Sequence, residues 1–419
     1  MVDAMKNSLL GNSDFLKLWI GQSISQAGVQ ISLLALPLVA AQSLQATSFQ
    51  MGALRAAEFL PFILFGLVAG VVSDRTGRRA ILITSDFVRA LLLVMVPVAF
   101  MLGVLQIELL FVVAFLVGTA SVFFDVAYWS YLPSLVRREH LVSGNSKLQL
   151  SQSTAEALGP AAAGLLVQWL TAPLAVVLNA GSFLLSALSL VMIKQRKAPV
   201  EPLPPQVSAR ATLGRGLMYV LHDSVLRSLM LRSTLWNFLY NVAMPVLLLY
   251  CIQTLSMSPT VLGLLFAAMG FGAVVGAMLM SGALTRCSVG AMIAGSLLVA
   301  ALGTCGISLR LGSAAEQIIW LALCLFVIGA ASAIYNINCV SLRQAMTPSG
   351  LLGQMTAAML FVSWGIMPFG ALLGGYLGER LGYLPTLTLV GIVALLTALT
   401  GMWSGPLKQV VALPAAASD

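Results

Sequence analysis

Apolar runs of about 20 residues, each long enough to cross the hydrocarbon core of a bilayer, follow one another along almost the whole chain. Early examples contain the stretches ISLLALPLVA, FLPFILFGLVAG and ALLLVMVPVAFMLGVL. Charged residues make up 9% of the 419 residues, whereas soluble proteins hold about 25%. A water-soluble core of this size would need an amphipathic coat, which the sequence does not have. These features predict an all-α integral membrane protein.

Turn residues and charges divide the chain into twelve predicted spans. The first is interpreted as a retained span because Asp14 and Lys17 precede it and no small-residue signal cleavage site ends it. The predicted spans cover residues 15–42, 48–73, 80–104, 107–132, 142–170, 173–194, 226–254, 259–284, 288–310, 316–343, 352–379 and 384–405.

The basic residues predict the orientation of these spans. With the N-terminus inside, the outside loops receive only Arg310 and Arg380, both near span ends. The inside loops receive Arg75, Arg78, Arg79, Arg137, Arg138, Lys194, Arg196, Lys197, Arg210, Arg215, Arg286 and Arg343. This asymmetry is typical of a multi-pass protein of the cell (inner) membrane with both termini in the cytoplasm. The net charge of +8 then reflects topology and anionic membrane lipids rather than binding to nucleic acid.

A basic, proline-rich segment, KQRKAPVEPLPPQVSAR, lies between the sixth and seventh spans and is typical of a flexible tether. The following stretch, ATLGRGLMYVLHDSVLRSLM, has apolar residues at helical spacing and is predicted to lie along the membrane surface. The predicted organisation is a six-helix bundle over residues 1–194, a cytoplasmic linker with an amphipathic helix over 195–225, and a second six-helix bundle over 226–419.

The two halves repeat at an offset of about 210 residues. At this offset Gly164 meets Gly374 and Gly66 meets Gly276, and the segment GPAAAG meets FGALLG; with a small drift Asp14 meets Asp223. Each half holds six predicted spans, so the repeats are parallel. Parallel repeats about an axis along the membrane normal are the plan of a transporter with a midplane site between two halves.

The segment GVVSDRTGRR, residues 70–79, matches the G-x-x-x-D-R-x-G-R-[RK] loop signature of the major facilitator superfamily. The segments FLKLWIGQSISQAG, YLPSLVRREHLVSGNS and GPAAAG resemble the bacterial branch that contains enterobactin exporters and macrolide efflux proteins. The resemblance implies the twelve-helix major facilitator fold and a monomeric secondary transporter. It implies export of a small amphipathic organic molecule, of the drug or siderophore class, by proton antiport and alternating access. The alternative is a lipid or lysophospholipid transporter of the same fold with lateral substrate entry.

Each residue of this loop motif has a predicted role. Gly66 and Gly70 share a helix face and would permit close helix approach, and Gly77 would permit the tight turn. By the resemblance, Asp74 accepts hydrogen bonds from the N-terminus of the eleventh span. Three arginines, Arg75, Arg78 and Arg79, would then complete a charged latch; the alternative for Arg78 and Arg79 is anchoring at lipid phosphates.

Enzyme signatures are absent from the sequence: it has no GxxxxGK[ST], GxSxG or HExxH motif, no CxxC spacing, and only two histidines, far apart. The prediction is therefore a non-enzyme without a cofactor or metal site, driven by a gradient. Intramembrane charges are the candidate coupling groups, because each is costly at about 2.5–3.5 kcal/mol. They are Arg55 and Glu58 at i, i+3 in the second span, Asp125 in the fourth and Glu156 in the fifth; Arg89 is a possible structural partner of Asp125.

Neutral polar and aromatic residues mark the spans that, in this superfamily, line the central cavity. Gln22, Gln26 and Gln30 form one stripe along the first span. Later spans offer Trp236, Asn237, Tyr240, Asn241, Tyr335, Asn336, Asn338, Phe361 and Trp364. These side chains suit an amphipathic organic substrate held by stacking and hydrogen bonds. The alternative is interhelical hydrogen bonding that stabilises the bundle.

Overall fold

The computed structural model describes residues 12–136, 140–193, 209–283, 288–348 and 350–403. Within these ranges the chain forms helices joined by short turns. Most of the proline-rich linker lies outside them, as do Arg137, Arg138, Lys194, Arg196, Lys197 and Arg286.

The first half forms six helices that correspond to the first six predicted spans. Their bounds are α1 Ser13–Leu38, α2 Ser48–Thr76, α3 Arg78–Met101, α4 Ile107–Leu135, α5 Leu141–Leu170 and α6 Ala172–Val191. A π-helical turn, Val39–Ser43, extends α1.

The second half begins with α7, Ala209–His222, which is the predicted amphipathic helix. The others are α8 Ser224–Leu249, α9 Pro259–Ala283, α10 Val289–Ile307, α11 Ala314–Met346, α12 Leu352–Gly365, α13 Met367–Leu381 and α14 Tyr383–Trp403. A π-helical turn, Tyr250–Thr254, extends α8. The eleventh predicted span is two helices, α12 and α13, because Pro368 cannot donate its backbone hydrogen bond and Gly365 favours the helix weakly.

In the described ranges, ten helical segments are long and apolar enough to cross a membrane. The remaining two predicted spans, α2 and α5, contain 29 and 30 residues but are not among the ten. The first half of α5 is polar, with the sequence SGNSKLQLSQSTAE. The all-α membrane fold is confirmed, and the count of twelve spans stays a prediction.

The chain divides into two compact units. Unit 1 contains residues 1–45 and 57–209, and unit 2 contains residues 46–56 and 210–419. In unit 1, α1 packs against α5 and α6, and α3 packs against α4 and α6. Unit 2 repeats the same pattern, with α8 against α13 and α14, and α10 against α11 and α14. The repeat predicted from sequence is thus a repeat of helix pairings.

Local geometry fixes the repeat offset more closely. The π-helical turns begin at positions 39 and 250, an offset of 211 residues. At the same offset, Gln45 and Ser256 have positive φ angles of 51° and 50°. Asn12 and Asp223 also share this offset, and each caps a helix by accepting hydrogen bonds from the two following turn amides. The predicted equivalence of Asp14 and Asp223 is wrong, since Asn12 holds the capping position.

Unit 2 includes the start of α2 and the helix α7. Glu379 of α13 accepts hydrogen bonds from the Thr47 hydroxyl at 3.1 Å and the Phe49 amide at 3.2 Å. The other added helix, α7, docks through Tyr219, whose hydroxyl donates to the Met346 carbonyl at 2.8 Å. One face of α7 therefore packs on protein.

Candidate functional site

The loop motif begins with the turn between α2 and α3. Gly77 has φ 87°, a conformation that other residues rarely adopt, and α3 starts at the next residue. The side chains of Asp74 and Arg75 lie outside the described part of the structure. The predicted role of Asp74 therefore stays a prediction.

Arg79 binds the end of α6. Its Nε donates to the Leu190 carbonyl at 2.9 Å and its guanidinium also donates to the Val191 carbonyl at 2.7 Å. Lys17 donates to the Met192 carbonyl at 2.9 Å. Two cations thus satisfy carbonyls at a helix C-terminus, where positive charge is favourable. The latch and lipid-anchor roles of Arg79 stay predictions; Arg78 is half-buried beside it.

The glycines of α2 do not make the predicted close helix contact. A Cβ atom placed on Gly66 or Gly70 meets no described heavy atom within 4 Å. Close approaches occur at other positions. In unit 1, Gly118 of α4 faces the α2 backbone at Glu58, and in unit 2, Gly272 and Gly276 of α9 face the α11 backbone at Phe326 and Ala330. The small residues of α9 and α11 let the two backbones meet.

A buried ion pair in unit 1 was not predicted. Asp86 and Arg89 of α3 pair with side-chain exposures of 0% and 5%. The Arg89 guanidinium lies over the Phe124 ring at 4.1 Å and the Phe183 ring at 4.2 Å. Aromatic faces on both sides favour a guanidinium in this position. The i, i+3 spacing was visible in the sequence, but the two rings come from α4 and α6 and could not be assigned.

This pair changes the interpretation of Asp125. Arg89 was the possible structural partner of Asp125, but its ion pair is with Asp86. Asp125 lies on α4 within electrostatic range of Arg89. Its side chain is exposed by surface area, although protein atoms surround it densely. Among the described residues, no hydrogen bond or ion pair to its carboxylate is present. Asp125 is therefore an accessible acid near an arginine that already has a counter-ion.

The other candidate coupling residues lie in different surroundings. Glu156 of α5 is exposed and accepts a hydrogen bond from Gln152 of the same helix at 2.9 Å. Arg55 and Glu58 of α2 are half-buried, and Arg55 is within electrostatic range of Tyr240. Of the four candidates, Asp125 lies beside the buried pair.

The three glutamines of the α1 stripe differ in burial and in hydrogen bonding. Gln22 is 4% exposed and its amide donates to the Ser186 hydroxyl of α6 at 3.1 Å. Gln30 is half-buried, and its side chain packs against Gly159 of α5. Gln26 is half-buried, and no polar partner is present among the described residues. Gln22 therefore stabilises the bundle, whereas Gln26 has an amide to offer a substrate.

The amides and aromatics of unit 2 divide in the same way. Asn241, Tyr335 and Asn338 are buried and bonded: Asn241 to the Asn237 carbonyl at 2.9 Å, Tyr335 to Ser233 at 2.9 Å, and Asn338 to the Ile334 carbonyl at 2.8 Å. These three side chains are bonded within unit 2, although the buried Asn241 Oδ1 has no hydrogen-bond partner among the described residues. The half-buried or exposed candidates are Trp236, Asn237, Tyr240, Asn336, Phe361 and Trp364.

Each unit thus carries accessible amides near buried, hydrogen-bonded ones, and unit 2 adds accessible aromatic rings. Such side chains can bind an organic molecule by stacking and hydrogen bonding. In the described ranges, no group of three His, Cys, Asp or Glu side chains could hold a metal ion.

Comparison with known proteins identifies similar chains. The model of a family described as transmembrane secretion effector matches residues 7–419. The multidrug efflux pump Tap of Mycolicibacterium fortuitum is 26% identical over 91% of this chain and 93% of its own. Macrolide efflux protein A of Streptococcus pyogenes is 24% identical over 88% of this chain and 90% of its own. The crystal structure of the nucleoside transporter NupG superposes with a TM-score of 0.72 at 12% identity, covering 93% of this chain and 98% of that chain.

Proposed function

Since the chain belongs to the transmembrane secretion effector family of major facilitator transporters, we propose that it exports small amphipathic organic molecules of the drug or siderophore class. Two relatives named as efflux pumps, Tap and macrolide efflux protein A, support export. The proposed mechanism is alternating access with proton antiport by a monomer. The proposed location is the bacterial inner membrane with both termini in the cytoplasm, as the basic loops indicate.

The observation that carries proton coupling is the position of Asp125. Its carboxylate is accessible, lies three residues before the end of the candidate span Ile107–Tyr128, and is within electrostatic range of Arg89. Because Asp86 already neutralises Arg89, Asp125 is not fixed as a counter-ion. An acid at membrane depth without a fixed partner can gain and lose a proton as its surroundings change.

Substrate recognition is proposed for the accessible side chains of both units. Gln26 offers a free amide, and Trp236 and Tyr240 offer aromatic surface with a polar edge. Asn336 is exposed on α11, and no bond to its side-chain amide is present among the described residues. Few fixed hydrogen bonds and several flat rings suit substrates of varied shape.

The test is transport in proteoliposomes under an imposed pH gradient. A labelled macrolide, an aromatic cationic dye and a catecholate siderophore are supplied separately. We expect gradient-driven transport of at least one compound by the wild-type chain. The Asp125→Asn variant should lose the gradient dependence but keep exchange of labelled for unlabelled compound, because exchange moves no net proton.

Glu156→Gln is the matched control, since it removes an exposed acid whose partner is on its own helix. It should transport like the wild type. If no compound moves with the gradient, proton-coupled export is wrong. If Asp125→Asn remains fully gradient-dependent, the coupling site lies elsewhere.

A further inference from the structure

Unit 2 has very few acidic residues for its number of arginines. Between positions 210 and 403 the sequence holds three acids and eight arginines. Most of these arginines lie in loops or near helix ends, but an arginine inside the bundle requires a counter-ion, because an unpaired charge at membrane depth is costly.

The three acids are already bound to other groups. Asp223 caps α8 by accepting from the Val225 and Leu226 amides, both at 2.8 Å. Glu316 forms a capping box at the start of α11. Glu379 accepts from residues at the start of α2. In the part of unit 2 that the structure describes, no carboxylate pairs with an arginine.

Arg232 of α8 is an arginine that none of these three acids neutralises. Its Nε donates to the Ser228 hydroxyl at 3.2 Å, and no other bond to its guanidinium is present among the described residues. It lines a small open cleft between α8, α10 and α14. The remaining cleft residues are Leu235, Trp236, Leu239, Leu297, Ala394, Thr397 and Ala398.

Among the described residues Arg232 has no acidic partner, and further arginines lie on α8 and α11. It lies eight residues after the start of α8, about 12 Å along the helix at 1.5 Å per residue. Arg227, one turn nearer that end, donates to the Leu221 carbonyl at 3.0 Å, and Arg343 of α11 donates to the Cys339 carbonyl at 3.2 Å. Both bonds leave the positive charge without an acid.

We propose that the cleft between α8, α10 and α14 binds an anionic membrane lipid, with the lipid phosphate on Arg232. The remaining lining is mostly apolar, which suits an acyl chain, and a guanidinium on a long side chain reaches toward the headgroup level from inside a helix. Basic pockets between membrane helices are a recurring form of anionic headgroup site. The charge excess explains why a zwitterionic lipid is a poorer occupant.

The experiment measures lipid binding to the full-length protein purified in detergent. Short-chain phosphatidylglycerol, phosphatidylcholine of the same chain length, and soluble glycerol phosphate are titrated separately. Bound lipid is counted by native mass spectrometry, and the rise in unfolding temperature gives an apparent affinity. We expect phosphatidylglycerol to bind and stabilise, and the other two to have little effect.

Three variants test whether Arg232 binds the lipid phosphate. Arg232→Gln should weaken phosphatidylglycerol binding about fivefold, the effect of one basic contact to an anionic headgroup. Arg232→Lys should keep most of the binding, since a lysine also contacts phosphate as a point charge. Arg380→Gln is the control, because this arginine belongs to α13 and lies over the Tyr376 ring at 5.8 Å.

Several results would overturn the proposal. Equal binding of phosphatidylglycerol by wild type and Arg232→Gln would remove Arg232 from the site. Equal weakening in Arg380→Gln would show a general charge effect. Full protection by glycerol phosphate would show a soluble-anion site instead of a lipid site. If Arg232→Gln does not fold, failure of Arg232→Lys to bind lipid while folding normally also contradicts the proposal.

Discussion

Replacing Gly272 of α9 with alanine should destabilise unit 2 by forcing α9 and α11 apart. An added Cβ there would meet the backbone oxygen of Phe326 well inside 3.0 Å, the distance below which real Cβ contacts essentially do not occur. The same crossing includes Gly329, whose Cβ would meet the Met269 backbone oxygen. Because the obstacle is backbone on both sides, a rotamer change cannot relieve it, and the helices must separate by roughly 1 Å in a close-packed interior.

The expected cost follows from two opposing effects. Overpacking a well-packed interface costs about 1–3 kcal/mol. Alanine in place of glycine in a helix gains up to about 1 kcal/mol. The two effects together predict a net loss of folding stability for Gly272→Ala. The matched control is Gly295→Ala in α10, where an added Cβ meets nothing within 4 Å. Gly295→Ala should show only the gain in stability that alanine brings to a helix.

The assay heats each detergent-purified variant and measures the fraction that remains monodisperse by size-exclusion chromatography. Gly272→Ala should unfold a few degrees below wild type, and Gly295→Ala at or above it. If the two variants unfold at the same temperature, the close contact between α9 and α11 is not a determinant of stability.

Three further outcomes are expected from unit 1. Arg79→Ala should lower the unfolding temperature, since it removes two charge-assisted hydrogen bonds worth about 1.5–3 kcal/mol each, and substrate affinity measured by binding should not change. Gln22→Leu should lose stability without loss of affinity, and Gln26→Leu should show the reverse when both quantities are measured on one preparation. Asp86→Asn should be the most damaging, by about 3–5 kcal/mol in thermal unfolding, because it leaves Arg89 buried without a counter-ion.

The helices were largely predictable because a helix that crosses a membrane needs a long apolar run, which is visible in the hydropathy of the sequence. The first predicted span, 15–42, compares with an observed helix and π-turn over 13–43, and the eighth, 259–284, compares with Pro259–Ala283. The break before Pro368 carried a sequence signal, the pairing of proline with Gly365, but five other helices contain an internal proline without breaking. Local sequence therefore predicts where a span lies better than where a helix within it is broken.

Helix contacts were less predictable, as two glycine pairs with the same spacing illustrate. Gly66 and Gly70 were expected to mark a close contact but have no neighbour within 4 Å of an added Cβ among the described residues, whereas Gly272 and Gly276 make such a contact. The spacing places both glycines of a pair on one helix face, but only the tertiary arrangement determines what that face meets. The same limit applies to Arg79, whose partners lie 111 and 112 residues along the chain.

Recurrence of the helix pairings in both units has a consequence for the evolution of the chain. The pairings of α1 with α5 and α6 recur in α8 with α13 and α14, although one half holds ten of the fourteen acids while both halves hold eight arginines. The architecture therefore survived while the charges diverged. A duplicated bundle whose contacts depend on small and apolar residues can specialise its halves separately, one toward exchangeable protons and the other toward anions, without a change of fold.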